Sequence, residues 1–409
     1  MKESELLNRS FPPRRAISLN YAAMPDSSST PSPNQPLVVM TIVGTRPEAV
    51  KMAPLINLMK AQPQNFKVIV TVTGQHREML DQVMHGAFGV SYNHDLAIMT
   101  AGQSLTQITT RALNGLEPVL EREKPDIVLA QGDTTTVLAA SLAASYQKIA
   151  FGHVEAGLRT DNKFDPFPEE LNRRLTTQIT DLHFAPTPQS AQNLKCEGVK
   201  DEAIYLTGNT VIDALLQVSK SRNLSSDGLK TILVTTHRRE NLGAPLENIA
   251  GALRDILEKF ENTKIVLPMH KNPAVREVLQ RILGDHPRAE LIEPLDYLPF
   301  VRAMESAHLI LTDSGGVQEE APSLGIPVLV LRRTTERPEG VTAGTASLIG
   351  TEREDIVAAA SQLLSDENSY NAMSHAANPY GDGKAGERIA QAILHWAGRG
   401  ARPADFVSQ

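Results

Sequence analysis

The sequence has few of the residues on which several classes of protein depend. It contains one cysteine, Cys196, in 409 residues, which excludes a disulfide framework, a CxxC redox pair and a cysteine-rich zinc site. Aromatic residues make up only 4%, which disfavours a base-stacking surface. Lys and Arg number 40 against 47 Asp and Glu, and this acidic balance argues against sequence-independent nucleic-acid binding. No apolar run reaches about 18 residues, so no membrane helix is expected.

Residues 1–36 differ in composition from the rest of the chain. They are rich in proline and serine and lack the apolar core of a secretory signal peptide. We expect a disordered extension or the product of an over-early start codon. Arg14 and Arg15 among the serines leave a transit peptide as the alternative.

The remaining sequence alternates apolar runs typical of buried strands with stretches of helical spacing. Hydrophobic residues make up 41% of the chain, enough to bury a sizeable core. The alternation predicts an α/β fold whose parallel sheets are covered on both faces. The clearest strand segments are 37–43, 67–73, 126–131, 149–154, 231–236, 264–269, 309–312 and 327–331.

We expect about eleven strands, more than one ordinary doubly wound sheet holds, and therefore two α/β domains. The pattern restarts after Leu206-Thr207-Gly208-Asn209, which places the domains at 37–206 and 207–380. Residues 381–409 are expected to form a helix that packs back on the first domain, followed by a tail. Ligands of such sheets bind at the carboxyl ends of the strands, so the site is expected in the cleft between the domains.

The segment GTRPEAVK, residues 44–51, follows the first strand. Glycine permits a tight turn there, and Pro47 suits the first turn of a helix. The free N–H groups of a helix start favour an anion, and Arg46 and Lys51 add positive charge. The segment has neither the GxGxxG nor the P-loop pattern, and an ordinary strand–helix turn is the alternative.

The segment DSGGVQEE, residues 313–320, is the stronger signal for nucleotide binding. It follows an apolar strand and opens a helix that Ser314 can cap. Gly315 and Gly316 let backbone N–H groups approach a pyrophosphate without hindrance from a Cβ atom. Glu320, about one turn into the helix, can accept hydrogen bonds from ribose hydroxyls. A plain helix start is the alternative.

Basic side chains follow the predicted strands of the second half. His237 and Arg238 come after strand 231–236, and His270 comes after the next strand. Arg337 follows strand 327–331. At strand ends these groups are typical of phosphate or leaving-group contacts, although a lone histidine is more often structural.

Three acidic residues of the first half stand at the ends of predicted elements. Asp133 and Glu155 end apolar strands, and Glu169 opens a helix, where an acidic residue is by default a surface residue. Gathered at one sheet edge, they would form a carboxylate cluster facing the basic groups. Such crowding raises at least one pKa above its usual value of about 4 and suits acid–base catalysis. A Mg²⁺ site is the alternative, but the basic groups already offer charge to a diphosphate, so we expect no metal and no cofactor.

These segments together resemble the non-hydrolysing UDP-N-acetylglucosamine 2-epimerases. The resemblance spans about Val39 to Glu387. It implies the GT-B fold, two Rossmann-like domains with the site between them. The matching segments are GTRPEAVKMAPL, GQHREMLDQV, GDTTTVLAASLAA, GHVEAGLRT, PFPEELNRR, TGNTVIDALL, HRREN, YLPF, LTDSGGVQEEAPSLGIPVLV, TTERPEGVTAGT and NPYGDGKA.

The resemblance implies reversible interconversion of UDP-GlcNAc and UDP-ManNAc. UDP would leave C1 first, which makes the C2 proton acidic, and loss of that proton would leave 2-acetamidoglucal and UDP. Protonation from the other face and re-addition of UDP would complete the reaction. The enzyme must therefore stabilise a diphosphate leaving group and a positive sugar ring, and exclude water.

The resemblance also implies roles for individual residues. Asp133, Glu155 and Glu169 resemble the family's acidic catalytic residues, and His237 resembles its phosphate-side histidine. Phe300 lies at a position near the uracil. The residues at UDP-binding positions are Arg46, Lys51, Ser314, Gly315, Gly316, Glu320 and Arg337.

Bacterial members are activated by UDP-GlcNAc at a second site, and the resemblance extends to candidate residues for it. These are Gln75, His76, Arg238 and His270. We further expect a cytoplasmic homodimer that supplies ManNAc units for surface polysaccharide synthesis, with neither nucleic-acid nor membrane partners.

Three alternatives share many of these motifs. A hydrolysing relative would release free ManNAc and UDP. A GT-B glycosyltransferase would use the same UDP-sugar cleft but needs an acceptor, and three carboxylates are superfluous for simple transfer. A catalytically inactive binding protein would have lost an acidic position, and none is lost here.

Overall fold

The computed structural model describes residues 35–74, 80–100, 102–160, 162–219 and 228–408. The extension predicted to be disordered therefore lies, except for its last two residues, outside the described residues. In the described part, the strands form one seven-stranded and one six-stranded sheet, and all strand pairs are parallel. The two α/β sheets predicted from the sequence are confirmed.

The first sheet has the strand order β3-β2-β1-β4-β5-β6-β7. Its strands are β1 (Leu37–Val43), β2 (Phe66–Val72), β3 (His94–Asp95), β4 (Ile127–Gln131), β5 (Ala150–Val154), β6 (Leu182–Ala185) and β7 (Ile204–Leu206). The second sheet has the order β10-β9-β8-β11-β12-β13. Its strands are β8 (Lys230–Thr235), β9 (Thr263–Pro268), β10 (Ala289–Ile292), β11 (Leu309–Thr312), β12 (Val328–Val330) and β13 (Ala346–Leu348).

Both sheets follow the Rossmann strand order, in which the chain reverses direction across the sheet after its third strand. The two switch points lie between β1 and β4 and between β8 and β11. All eight strand segments named from the sequence are strands within one residue of their predicted ends. The additional strands are short, between two and four residues, which is why their apolar pattern was too brief to stand out.

Most helices of the described part lie between successive strands, and the last three follow β13. None of them combines the length and apolar character needed to cross a membrane. They are α1 (Arg46–Lys60), α2 (Leu105–Glu123), α3 (Thr135–Tyr146), α4 (Glu169–Thr177), α5 (Pro188–Cys196), α6 (Thr210–Val218), α7 (Ala244–Lys259), α8 (Pro273–Leu283), α9 (Tyr297–Ser306), α10 (Gly315–Glu320), α11 (Pro338–Thr342), α12 (Arg353–Ser365), α13 (Glu367–Ser374) and α14 (Ala385–Trp396), with a π-helix at Gln82–Ala87 and 3₁₀ turns at Asp201–Ala203, Arg239–Asn241 and Ala321–Leu324.

Alternate residues of the central strands are buried on opposite faces of each sheet. In β1, Val39 and Val43 pack in the cluster that contains α1, whereas Met40 and Ile42 pack in the cluster that contains α2 and α3. This two-sided burial explains the continuous apolar runs of the sequence, since side chains of a strand point alternately to its two faces. The cluster around α1 continues into the second sheet through β11 and β12.

The last helix, α14, returns the chain to the first sheet. Ile389 and Ile393 are fully buried in the cluster around α1. The carboxylate of Asp213, on α6, accepts the N–H groups of Ala385 (3.2 Å) and Gly386 (2.7 Å) at the start of α14. Burial raises the pKa of Asp213 to about 6 despite these bonds. A side chain at Gly386 would lie 3.7 Å from the backbone of α1 at Leu55, so the two helices pack closely.

Two buried histidines lie side by side on adjacent strands of the first sheet. His153 of β5 and His183 of β6 are in register, and the Nδ1 atom of each has no hydrogen-bond partner among the described residues. His153 Nε2 donates to the carbonyl of Gly132 (2.7 Å). Burial lowers the pKa of His153 to about 4 and that of His183 to about 3. Both side chains are therefore neutral at pH 7.

We expect His183→Gln to remove part of the acid sensitivity of the fold. The folded state keeps His183 neutral while the unfolded chain binds a proton near pH 6.5, so its stabilising contribution is complete above pH 6.5 and is lost as the pH falls toward 3. Relative to the variant, the wild type should lose about 2 kcal/mol of unfolding free energy between pH 7.5 and pH 5 in urea titrations. The exposed His375→Gln variant is the control and should run parallel to the wild type. If the unfolding free energies of the wild type and His183→Gln differ by the same amount at every pH, the low pKa assigned to His183 is contradicted.

Candidate active site

One cleft, of about 820 Å³, receives side chains from the switch points of both sheets. The turn after β1 contributes Arg46 and Lys51, and the end of β8 contributes His237. The cleft therefore lies where ligands of doubly wound sheets bind. Its lining also includes His270, Leu295, Tyr297, Phe300, Ser314, Gly316 and Glu320.

The turn after β1 is organised by the buried Glu48. Its Oε2 accepts the N–H groups of Gly44 (2.6 Å) and Thr45 (3.3 Å), and Pro47 occupies the first turn of α1 as the sequence indicated. Burial raises the pKa of Glu48 to about 7. A side chain at Gly44 would lie 2.6 Å from the Thr136 hydroxyl, so only glycine allows the β1 and β4 turns to approach this closely.

Lys51 and Glu155 form a buried ion pair beside the cleft. Lys51 Nζ lies 2.8 and 2.7 Å from the two carboxylate oxygens of Glu155. The side-chain amide of Gln131, at the end of β4, also donates to this carboxylate. Glu155 itself has a φ of 65°, in the left-handed region that side-chain-bearing residues seldom adopt. Such strain persists where surrounding contacts hold the residue, and here they hold its carboxylate in one place.

A second buried ion pair, between Glu319 and Arg337, adjoins the first. Arg337 Nη2 lies 3.9 Å from Glu155 Oε1. Asn209 Nδ2 donates to both carboxylates, at 3.3 Å to Glu155 and 2.9 Å to Glu319. These residues and Lys51 form a single charge network, with two carboxylates, two cations and one amide, that joins the two halves of the protein.

The charge network sets the protonation of its two carboxylates. Burial raises the pKa of Glu155, but the charges of Lys51 and Arg337 outweigh this effect and hold the pKa below its usual value. Burial dominates at Glu319 and raises its pKa against the attraction of Arg337. Burial also raises the pKa of Glu320, to about 8. Near the cleft, the pKa values of Glu48, Glu319 and Glu320 are therefore raised, whereas the pKa of Glu155 is lowered.

The three acidic residues predicted from the sequence have well-defined neighbours in the structure. Asp133 pairs with Arg173 of α4, at 2.5 Å, and Asn172 Nδ2 donates to the Asp133 carbonyl at 2.9 Å. Glu169 is half-buried at the start of α4, the same helix that carries both partners of Asp133. The carboxylate beside Glu155 is Glu319. Each of Asp133 and Glu155 thus has a cation as its direct partner, and for the buried Glu155 an unpaired charge would be costly.

His237 and Arg238, after β8, have different surroundings. The His237 side chain is 47% exposed, and its Nδ1 lies 3.1 Å from the buried carboxylate of Asp313. Arg238 Nη2 is paired with Glu336 at 2.6 Å, and its Nε donates to the Asp313 carbonyl at 3.1 Å. Arg238 was expected at a second ligand site, but its guanidinium is engaged by Glu336. Arg337 and Lys51, expected as cations for a diphosphate, are likewise neutralised by neighbouring carboxylates.

The start of α10 is open to the cleft. Ser314 occupies the N-cap position, but its hydroxyl makes no capping hydrogen bond, so the predicted side-chain cap is wrong; the side chain lines the cleft instead. A Cβ atom at Gly316 would meet no atom closer than 3.9 Å, whereas one at Gly315 would lie 3.1 Å from a carboxylate oxygen of Glu336. Space for a ligand therefore adjoins Gly316, and Glu336 closes the Gly315 side.

The far wall of the cleft combines aromatic and acidic groups. The buried Glu320 accepts a hydrogen bond from the Tyr297 hydroxyl at 3.3 Å. Phe300 and the exposed His270 line the same cleft, and Arg46 Nη2 reaches the Leu295 carbonyl at 3.5 Å. Gln75 and His76, the other candidates for a second ligand site, lie outside the described residues. Within the described ranges, no group of three or more His, Cys, Asp or Glu side chains could hold a metal ion.

Sequence reasoning did not single out several residues that organise the site. They are Gln131, Arg173, Asn209, Asp313 and Glu319. All of them except Gln131 lie inside the sequence segments that resemble the epimerases, so those segments could have pointed to them. Their partners are distant in sequence, by 110 residues for Asn209 and Glu319 and by 76 for His237 and Asp313, and no spacing rule connects them.

Comparison with known proteins decides the family. The sequence profile described as UDP-N-acetylglucosamine 2-epimerase matches residues 58–394. The chain belongs to this family. A UDP-N-acetylglucosamine 2-epimerase of Salmonella typhimurium is 55% identical over 87% of this chain and 98% of its own length. The resemblance noted from the sequence motifs is confirmed at the level of the family.

Solved structures agree with this assignment. The crystal structure of a Listeria monocytogenes protein described as a UDP-N-acetylglucosamine 2-epimerase has a TM-score of 0.86 and 50% identity, covering 91% of this chain and all of that one. The Neisseria meningitidis UDP-GlcNAc 2-epimerase, solved bound to UDP-GlcNAc, has a TM-score of 0.80 and 47% identity over 88% of this chain and all of that one. The two-domain GT-B fold is thereby established for this member of the epimerase family.

Removing one cation of the charge network should destabilise this epimerase-family fold. Lys51→Met leaves Glu155 buried without its closest cation, so we expect the free energy of unfolding to fall by about 3 kcal/mol or more. The double variant Lys51→Met/Glu155→Gln removes both charges and should be more stable than Lys51→Met alone. Lys60→Met, at the exposed end of the same helix, should cost less than about 1 kcal/mol. Equal losses for Lys51→Met and Lys60→Met in urea titrations would contradict the network.

Proposed function

We propose that this chain catalyses the reversible, non-hydrolysing epimerisation of UDP-GlcNAc to UDP-ManNAc at C2. The proposal rests on one observation, a cleft at both switch points that places basic and aromatic groups beside a buried ionised carboxylate in a member of this family. The Neisseria relative solved with UDP-GlcNAc supports the choice of substrate.

The proposed reaction is an elimination followed by the reverse addition. The C1–O bond breaks, and its electron pair leaves with the β-phosphate of UDP. The proton at C2 passes to a carboxylate of the protein, and the electrons of the C2–H bond form the C1=C2 double bond of 2-acetamidoglucal. A proton is then returned to the opposite face of C2, and the phosphate oxygen of UDP bonds to C1 again. Atoms and electrons balance without a cofactor.

The second half of the protein is proposed to hold UDP. His237, Ser314 and Gly316 line the cleft where the diphosphate would lie, and Gly315 adjoins them. Glu320 is placed to accept hydrogen bonds from the ribose, and Phe300 to contact the uracil. Arg46 reaches the same cleft from the first half. Donors directed at the diphosphate stabilise the charge that develops on it as the C1–O bond breaks.

The first half is proposed to act on the sugar through Asp133, Glu155 and Glu169. The lowered pKa of Glu155 keeps it ionised, which suits stabilisation of a positive ring or acceptance of the C2 proton. The substrate diphosphate would compete with Glu155 and Glu319 for the cations Lys51 and Arg337. Substrate binding would thus weaken the charge network and free Glu155 to face the sugar.

Further properties are proposed on the resemblance and on family membership. We propose a homodimeric, cytoplasmic enzyme that supplies ManNAc units for surface polysaccharide synthesis. We also retain Gln75, His76, Arg238 and His270 as candidates for activation by a second UDP-GlcNAc. For Arg238, such binding would have to displace the carboxylate of Glu336.

Reaction in D₂O tests the proposed chemistry directly. With UDP-GlcNAc as substrate, ¹H NMR should show UDP-ManNAc accumulating with deuterium at C2, because the proton removed exchanges with solvent. Free ManNAc and stoichiometric UDP would identify the hydrolysing alternative. UDP-ManNAc that retains the original hydrogen at C2 would contradict the elimination. A parallel incubation in D₂O without the enzyme provides the control for non-enzymatic exchange.

Glu155→Gln should lower kcat by about 100-fold or more without weakening the binding of UDP. The amide removes the negative charge needed at the sugar but leaves Lys51 available to the diphosphate. Turnover and UDP binding by calorimetry would be compared with the exposed variant Glu354→Gln, expected to match the wild type. Parallel losses of kcat and UDP affinity would instead indicate a structural role.

A further inference from the structure

The carboxylate of Asp313 lies at the end of β11, next to the end of β8. It is fully buried, and four donors of one short segment form hydrogen bonds to it. Thr236 Oγ1 (3.2 Å), Arg238 N (3.0 Å) and Asn241 Nδ2 (2.9 Å) donate to Oδ2. The backbone N–H of His237 lies 3.0 Å from Oδ2 and 3.2 Å from Oδ1. The imidazole Nδ1 of His237 also lies against this carboxylate, 3.1 Å from Oδ1.

The contact with Asp313 favours one tautomer of His237. Every hydrogen-bonded neighbour of the carboxylate whose role is fixed is a donor, so Asp313 acts as an acceptor at both oxygens. A lone pair on Nδ1 would face a carboxylate oxygen 3.1 Å away and be repelled by it, so the hydrogen of the neutral ring is placed on Nδ1. In the neutral ring, Nε2 is left with its lone pair, and in the protonated ring, Nε2 is a donor. Asp313 therefore decides which ring nitrogen is available in the cleft.

The sheet topology keeps this pair in place. Strands β8 and β11 are neighbours at the switch point of the second sheet, with Thr235 opposite Thr312. The hydroxyls of these two threonines lie 2.6 Å apart. Asp313 has no exposed surface, whereas the His237 side chain is 47% exposed and lines the cleft. Any effect of Asp313 on a ligand must therefore pass through neighbours that line the cleft, which are Thr236, His237 and Ser314.

We propose that Asp313 is the positioning residue for His237 in the epimerisation. The inference rests on the proposed function, in which His237 contacts the diphosphate. Asp313 holds the ring at one angle and keeps Nε2 directed to donate to, or accept from, the leaving phosphate oxygen. A histidine free to rotate or to change tautomer would present the wrong nitrogen to the diphosphate in part of the molecules.

The variant Asp313→Asn tests this with little change in shape. The donors at Oδ2 keep the amide oxygen on that side, so the amide NH₂ takes the place of Oδ1 and faces Nδ1. The hydrogen of His237 should then move to Nε2. The ¹⁵N shifts of the His237 ring, measured at a pH where the ring is neutral, should change from the Nδ1–H to the Nε2–H pattern. A wild type with the Nε2–H pattern, or a variant that keeps the Nδ1–H pattern, would overturn the assignment.

The kinetic test separates positioning from anchoring of the 236–241 segment. Asp313→Asn should lower kcat by about 100-fold or more with KM changed less than about threefold. In the His237→Asn background, the same substitution should lower kcat no further, because its effect passes through the imidazole. Asn241→Ala removes another bond to the same carboxylate; it should lower the melting temperature but change kcat less than about threefold.

The outcomes separate the role of Asp313 from the proposed activity. If Asp313→Asn lowers kcat equally in the wild-type and His237→Asn backgrounds, Asp313 is only a structural anchor. If the wild type does not form UDP-ManNAc, the proposed function fails, while the ¹⁵N pattern still reports whether Asp313 sets the tautomer.

Discussion

The charge network of Lys51, Glu155, Asn209, Glu319 and Arg337 is the interaction on which the rest of the site depends. Glu155 directly follows β5 of the first sheet, and Glu319 and Arg337 belong to the second half. Asn209 lies between the two sheets and donates to both carboxylates. Two buried carboxylates would repel one another without the two cations and this amide. The network therefore holds the carboxyl edges of the two sheets against each other and places an ionised group beside the cleft.

The same network bears on the proposed binding of a diphosphate. Lys51 and Arg337 are satisfied by carboxylates of the protein, and Arg238 is satisfied by Glu336. In the proposed reaction, a diphosphate that enters the cleft would compete for cations that already have partners. Charges interact strongly inside a buried site, so loss of a cation to the diphosphate would leave more uncompensated negative charge on Glu155. Under this proposal, ligand binding and activation of the sugar-side carboxylate would be one electrostatic event.

Sequence reasoning predicted the fold well because its signals are local. Eight buried strands were placed within one residue, since each is a continuous apolar run between turn residues. Pro47 at the start of α1 was also predicted, because proline suits that position by its own geometry. The predicted cap by the Ser314 side chain is absent, because this side chain lines the cleft and does not bond the first N–H groups of the helix. Local chemistry permits a cap without requiring it.

The partners of the charged residues lay beyond such reasoning. The sequence predicted that Asp133, Glu155 and Glu169 gather, but it did not indicate that Asp133 pairs with Arg173 or that Asn209 links Glu155 to Glu319. The sequence by itself determined the parallel α/β architecture, the positions of the strand ends and the motifs that point to the epimerase family. These follow from apolar periodicity and from residue types within a few positions of each other. Only the tertiary structure decided which charges meet, because pairing depends on which strand ends become neighbours across the two sheets.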